Sequence, residues 1–194
     1  VFMGSVNIKQ NDLFLVHGGS GGIGATAIQL GKAFGAVVFT TDSPVDRCSF
    51  AKNLGADRVI DYNEEDFVKI VREAGGANII LDTIGGPYIE RNIKAASHEG
   101  KIIQLAFNLG SKMEINLMPI MLKRLVYTGS TLRSRPEAFK TEIARQLLEK
   151  VWPKISEGEI KTIVKQIFPL SKAAEAHTLM ESATHLGKIM LEID

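Results

Sequence analysis

Apolar runs of four or five residues alternate along this chain with longer stretches whose apolar residues return every three or four positions. "LFLVH" (13–17) is short and evenly apolar, and it predicts a strand buried on both faces. The next stretch sets Ile23, Ala27, Ile28, Leu30 and Phe34 on one helical face. "VVFTT" (37–41) is β-branched and predicts a second strand, and residues 46–54 predict a helix that Gly55 stops. "RVID" (58–61) gives a third strand. "EEDFVKIVREAGG" (64–76) gives a helix with acids in its first turn and glycines after its last.

The alternation continues. "NIILDTIGG" (78–86) is a strand ending in a glycine turn, and "PYIERNIKAA" (87–96) is a helix with Pro87 at its first position. "KIIQLAF" (101–107), "INLMPIMLKR" (115–124) and "LVYTGSTL" (125–132) predict a fifth strand, a short helix and a sixth strand. Residues 136–151 predict a long amphipathic helix with Phe139, Ile143, Leu147, Leu148 and Val151 facing inward. Strands that alternate with helices imply a parallel sheet covered on both faces. Right-handed crossovers make it a doubly wound α/β sheet, a Rossmann fold of strand order 3-2-1-4-5-6. The tail breaks the rhythm with a strand (162–168), a helix (169–183) and a strand (187–194). This C-terminal strand-helix-strand segment either extends the sheet or belongs to a neighbouring subdomain.

Composition narrows the function classes. The 194 residues carry a net charge of +1 with no Lys/Arg run, which argues against a nucleic-acid partner. The mean hydropathy is +0.06, and no apolar run has the length of a membrane span. A single cysteine, Cys48, excludes an intrachain disulfide and a four-thiolate zinc lobe, and fits a cytoplasmic protein. The opening "VFMGSVNIKQND" lacks a basic region followed by a long apolar core, so no signal peptide is expected. Position 1 is not Met, which points to a piece of a longer protein.

Five glycines fall in the seven positions from Gly18 to Gly24, between the first strand and the first helix. Gly19-x-Gly21-x-x-Gly24 matches the dinucleotide fingerprint in its strand–turn–helix context. Missing Cβ atoms let a pyrophosphate approach the backbone, where the free N–H groups of the helix and its dipole hold the charge. A triphosphate loop would need lysine at position 25, where alanine stands. The loop after the second strand, "TTDSPVDR", carries two signals. Asp42 sits where an acid binds the ribose 2′-OH of NAD, whereas Ser43 and Arg47 suit the 2′-phosphate of NADP. In "LDTIGG", small residues would admit the nicotinamide ribose, and Asp82 reads either as a functional residue or, the favoured reading, as a cap of the turn.

No acid/base or metal constellation emerges. Tyr62, Tyr88 and Tyr127 lack a lysine four residues on, and His17, His98, His177 and His185 show no ligand spacing. His17 reads as a satisfied core residue, Cys48 as packing, and Met113, Met118 and Met121 as core or crevice filling.

Taken together, "VHGGSGGIGATAIQLGKAFGA", "LGADRVIDYNEEDF", "ILDTIGG" and "GKIMLEI" resemble the zinc-independent quinone oxidoreductases of the medium-chain dehydrogenase/reductase superfamily. The likeness runs in order over nearly the whole chain. It implies that Gly19, Ser20, Gly21, Gly22, Ile23 and Gly24 hold the pyrophosphate of NADP(H), with Ser43 and Arg47 flanking its 2′-phosphate. Asp42 departs from the small residue common there and keeps NAD(H) possible. The resemblance further implies that Tyr62 lines the adenine side, and that Ile84 and Gly85 lie along the nicotinamide ribose. Phe107, Asn108, Thr131 and Leu132 would border the nicotinamide. Residues 1–160 would be the dinucleotide-binding domain. Residues 161–194 would complete a GroES-like catalytic domain that this chain lacks, so no catalytic residue is nominated.

The function expected is NADPH-dependent hydride delivery to a quinone or activated alkene. The alternatives are an enoyl reductase domain of a fatty-acid or polyketide pathway, a non-catalytic NADP(H)-binding module and, more remotely, a methyltransferase. The resemblance also implies a homodimer through the sixth strand.

Overall fold

The computed structural model describes residues 7–182 and 185–193. The first six residues of the opening segment, the last residue of the expected 169–183 helix and the last of the 187–194 strand lie outside them.

Six strands form one wholly parallel sheet: β1 (Leu13–His17), β2 (Val37–Asp42), β3 (Arg58–Asp61), β4 (Ala77–Asp82), β5 (Ala96–Gln104) and β6 (Val126–Gly129). Their order is β3-β2-β1-β4-β5-β6, the expected doubly wound arrangement. The connecting helices are α1 (Gly22–Ala33), α2 (Val45–Asn53), α3 (Phe67–Glu73), α4 (Tyr88–Ala95) and α5 (Met118–Lys123). Alternation along the strands divides the core. Leu13, Leu15, Ile80 and Ile102 pack on one face with Phe67, Val71 and Ile93 of α3 and α4. Phe14, Val16, Ile79, Leu81 and Ile103 pack on the other with Ile28 and Ala51 of α1 and α2. Burial on both faces is why β1 is apolar without interruption.

Several boundaries differ from the sequence reading. The acids expected in the first turn of α3 precede the helix, and the Asp66 carboxylate caps it by accepting the Val68 N–H at 3.1 Å. Pro87 stands just before α4, one residue outside the position expected. β5 begins at Ala96, earlier than the apolar run, because Ala96 pairs with Ala77 across an irregularity in the ladder. β6 ends at Gly129, which leaves Thr131 and Leu132 in the loop beyond it.

The larger correction concerns α6 (Glu137–Lys150) and the short α7 (Trp152–Ser156). Of the five residues expected to face inward, only Val151 is buried, while Phe139, Leu147 and Leu148 are exposed. Met118 and Met121 likewise stand in solvent, and only Met113 leans on the core.

The tail forms its own two-stranded parallel sheet, β7 (Val164–Pro169) and β8 (Lys188–Glu192), linked through α8 (Ala173–Glu181). Buried Gln29 of α1 ties it down: its amide donates to the Lys161 carbonyl at 3.1 Å and accepts the Lys161 N–H at 2.7 Å. Leu30, Val151 and Ile160 form a small core beside that pair.

Candidate coenzyme site

All strands of the sheet end at one edge, and the register aligns His17 with Thr41, Asp42 with Asp61, and Asp82 with Gln104. The candidate residues fall in the loops leaving this edge and in the strand and helix ends that bound them.

The five glycines of the first loop divide the work. Gly18 has φ +75°, a conformation that disfavours side chains. The N–H groups of Gly18 and Gly19 donate to the Thr41 carbonyl at 2.9 and 3.3 Å. A Cβ on Gly19 would lie 2.5 Å from Thr40 Oγ1, and one on Gly24 only 2.0 Å from the Gly18 carbonyl oxygen. These three glycines therefore let α1 close onto β1 and β2. Gly21 and Gly22 differ. Gly21 is exposed and would meet only the Gly18 oxygen, at 3.4 Å. The first α-helical bond of α1 is Ala25 N–H to Gly21 O at 2.8 Å, so the N–H groups of Gly22, Ile23 and Gly24 lie in the turn that lacks intrahelical acceptors. Ile23 is exposed beside them. A diphosphate can approach here at Gly21 and Gly22.

A residue that the sequence reading passed over joins them. Lys188, at the start of β8, places its Nζ 2.5 Å from where a Cβ on Gly22 would stand. Its backbone N–H donates to the Ile163 carbonyl, and Gly187 before it has φ +82°. The "GK" pair was visible in the sequence, but its position against the glycine turn comes from the tail's docking on α1.

The loop after β2 settles the direction of the Asp42 carboxylate. Oδ2 accepts the Ser20 N–H at 2.6 Å and Oδ1 accepts the Ser43 N–H at 2.9 Å, with the residue 3% exposed. Asp42 thus ties the glycine turn to β2, and both oxygens serve the backbone. The Ser43 hydroxyl accepts from Asn63 Nδ2 at 2.8 Å, and Arg47 stands half-buried in the first turn of α2. Tyr62 is exposed beside Asn63. Asn63 was also missed, because nothing in its spacing marks it.

On the other half of the edge, Ile84 and Gly85 follow β4. Asp82, wholly buried, accepts both their N–H groups on Oδ1, at 2.6 and 3.1 Å, as the expected turn cap. Gly85 has φ +68°, and a Cβ there would sit 2.8 Å from Phe107 Cδ1. Leu109 N–H to Ile84 O and Gly86 N–H to Gly110 O, both 2.8 Å, lock the Phe107–Asn108 loop onto this turn. Thr131 and Leu132 lie exposed beyond β6, anchored through Ser130 N–H to Gln104 O at 3.0 Å. The structure therefore gathers Ile84, Gly85, Phe107 and Asn108, and sets Thr131 and Leu132 one strand further out.

A family model described as zinc-binding dehydrogenase matches residues 22–149. Quinone oxidoreductase 1 of Escherichia coli (strain K12) is 30% identical over 193 residues, covering 95% of this chain and 58% of that protein. A phthioceranic/hydroxyphthioceranic acid synthase of Mycobacterium tuberculosis (strain ATCC 25618 / H37Rv) is 26% identical over 193 residues, 96% of this chain and 9% of the synthase. Among solved structures, an NAD-dependent alcohol dehydrogenase superposes with a TM-score of 0.81 at 31% identity, covering 97% of this chain and 53% of that one. The Escherichia coli quinone oxidoreductase complexed with NADPH gives 0.82 at 28% identity, covering 98% and 60%. This chain thus spans little more than half of the first relative. The family's description names zinc, but the described residues hold no group of three or more His, Cys, Asp or Glu side chains that could share an ion. Their donor set does not fit a zinc site. With the family model covering well over half of its length and the sheet order matching, the chain belongs to the zinc-binding dehydrogenase family within the medium-chain dehydrogenase/reductase superfamily.

Proposed function

We propose that this chain is the coenzyme-binding part of an NADPH-dependent reductase that delivers hydride to a quinone or an activated alkene. The observation that carries this reading is the open backbone at Gly21 and Gly22 on the N-terminus of α1, with the Lys188 ammonium against it. A diphosphate seated there meets bare N–H groups, the positive end of a helix and one cation. Gly19 and Gly24 shape the turn, and Ser20 fixes it through Asp42. Because both Asp42 oxygens are held by backbone N–H groups, the carboxylate is turned from the ribose. Ser43, Asn63 and Arg47 then supply the polar and cationic surroundings that suit a 2′-phosphate. Tyr62 flanks the adenine, Ile84 and Gly85 the nicotinamide ribose, and Phe107, Asn108, Thr131 and Leu132 the ring. When bound, the coenzyme supplies the hydride; these residues orient it and exclude water.

Residues 1–160 act as the dinucleotide-binding domain and 161–194 as the segment that completes a catalytic domain. The exposed Val126 and Tyr127 on edge strand β6 favour a homodimer paired along that edge. The likeness to the mycobacterial synthase, over nearly this whole chain, supports a second reading as an enoyl reductase domain of a polyketide pathway.

Titration calorimetry of the chain with NADPH and with NADH tests the reading. NADPH is expected to bind, and Arg47→Ala to weaken it about tenfold, the worth of one charge-assisted contact, with less than about a twofold effect on NADH. Equal loss for both coenzymes removes Arg47 from the 2′-phosphate site. No binding of either overturns the proposal.

A further inference from the structure

Beneath the two halves of the site runs a chain of buried polar side chains. His17 ends β1, 2% exposed, with its ring edge-on to Phe67 and Tyr88, both centroids at 4.9 Å. Its Nδ1 lies 2.9 Å from Thr41 Oγ1 and its Nε2 2.7 Å from Asn92 Oδ1. Asn92, wholly buried on α4, donates from Nδ2 to Asp82 Oδ2 at 3.0 Å. Asp82 spends its other oxygen on the N–H groups of Ile84 and Gly85.

The chemistry sets the direction of every link. A carboxylate only accepts, so the Asn92 nitrogen faces Asp82 and its carbonyl faces His17. His17 must then carry its proton on Nε2, which leaves Nδ1 bare to accept from the Thr41 hydroxyl. At the far end, the Thr41 carbonyl takes the N–H groups of Gly18 and Gly19. One directed relay thus connects the glycine turn, through β2, β1 and α4, to the Ile84–Gly85 turn.

We propose that His17, Asn92 and Asp82 are positioning residues for the coenzyme: their relay fixes the Ile84–Gly85 turn relative to the glycine turn, so that the nicotinamide half meets a ribose site already formed. The inference rests on reading this edge as an NADPH site. Two observations carry it. Gly85 and Gly86 both have positive φ, so no regular ladder holds that turn, and the Asp82 carboxylate is the acceptor that gathers its N–H groups. Further, three buried polar side chains in series do what apolar packing could not: they specify one arrangement of two separate loops.

The test uses the 194-residue chain. Calorimetry compares NADPH with 2′,5′-ADP, which carries only the adenine half. His17→Leu is expected to weaken NADPH about tenfold while 2′,5′-ADP stays within about twofold, and His17→Gln, which keeps an N–H donor toward Asn92, to restore most of the loss. Equal loss of both ligands, or unchanged NADPH affinity in a folded His17→Leu chain, overturns the proposal. Without any coenzyme, amide exchange of Ile84 and Gly85 is expected to quicken in His17→Leu while the β1–β2 ladder keeps its protection; unchanged exchange overturns the relay. Should His17→Leu fail to fold, imidazole nitrogen NMR of the wild type decides, since an Nδ1–H tautomer contradicts the relay. A wild-type chain that binds neither ligand overturns the coenzyme reading, and with it the positioning role, while the exchange rates judge the relay by themselves.

Discussion

The Asp42 carboxylate accepts the backbone N–H of Ser20 at 2.6 Å, across the gap between the glycine turn and the end of β2. With Ser43 N–H on its second oxygen, this buried side chain adds to the Gly18 and Gly19 N–H bonds that already join the glycine turn to Thr41 of β2. Asp42→Ala leaves both donors without that acceptor in a buried place, at about 1–3 kcal/mol each. The expected result is a melting temperature lower by several degrees, at roughly 2–4 °C per kcal/mol for a chain of this size. Thermal unfolding followed by circular dichroism checks it; an unchanged midpoint would show that the turn stands without Asp42.

Gly21 and Gly24 sit three residues apart in one motif and should fail differently. A Cβ on Gly24 collides with the Gly18 carbonyl, whereas one on Gly21 makes ordinary contact at φ −71°, which alanine adopts freely. Gly24→Ala should cost about 1–3 kcal/mol or more by overpacking. Gly21→Ala should leave stability within about 0.5 kcal/mol and still reduce NADPH affinity, because its methyl group would stand where the proposed site admits the diphosphate. Paired melting and binding curves separate the two effects, and equal stability losses would contradict this division.

Lys188 is exposed, so its removal should spare the fold. Lys188→Met is expected to weaken NADPH about tenfold, as loss of one charge-assisted contact does, and to flatten the dependence of binding on salt. Calorimetry at two ionic strengths measures both. An unaltered salt slope would place the ammonium away from the phosphates.

His17 gives a pH dependence with a definite sign. Burial pushes its imidazole below the ordinary value; the Asn92 contact and the Asp82 charge on β4 act upward, and Arg91 on α4, stacked 4.2 Å from the Phe67 centroid, acts downward. The unfolded chain protonates this residue near pH 6.5, and the folded chain only at lower pH. Below about 6.5 the unfolded state therefore binds more protons, so the stability present above that pH declines as pH falls. Melting temperatures from pH 7 to 5 should drop more steeply for the wild type than for His17→Gln. Asp57 and Asp66, whose carboxyls lie below the usual range through Lys32 and Arg91, add their losses at lower pH in both chains. Parallel curves between pH 7 and 5 would count against a neutral His17.

Local pattern carried most of the sheet. β1 was legible because burial on both faces demands an unbroken apolar run, and the glycine turn because φ and packing each exclude a Cβ at specific positions. What stayed hidden depends on where chain segments meet. The stripe of Phe139, Leu147 and Leu148 has helical spacing, yet periodicity does not state whether a partner surface exists, and within this chain it stands in solvent. Asp42 was placed correctly at the end of β2, but its position could not tell a carboxylate aimed at a ribose from one aimed at Ser20 N–H. The contacts of Lys188 and Gln29 were invisible because their partners lie in distant segments.

The Gln29–Lys161 pair has a mechanical consequence. Since the same amide both gives and receives a hydrogen bond, the tail cannot slide along α1 without breaking both contacts at once. The far end of the chain is thereby indexed to the helix whose first turn is the proposed diphosphate site, and the Lys188 ammonium is held at a set place against that turn. A shift in the small second sheet would be felt as a change in local charge where the coenzyme enters.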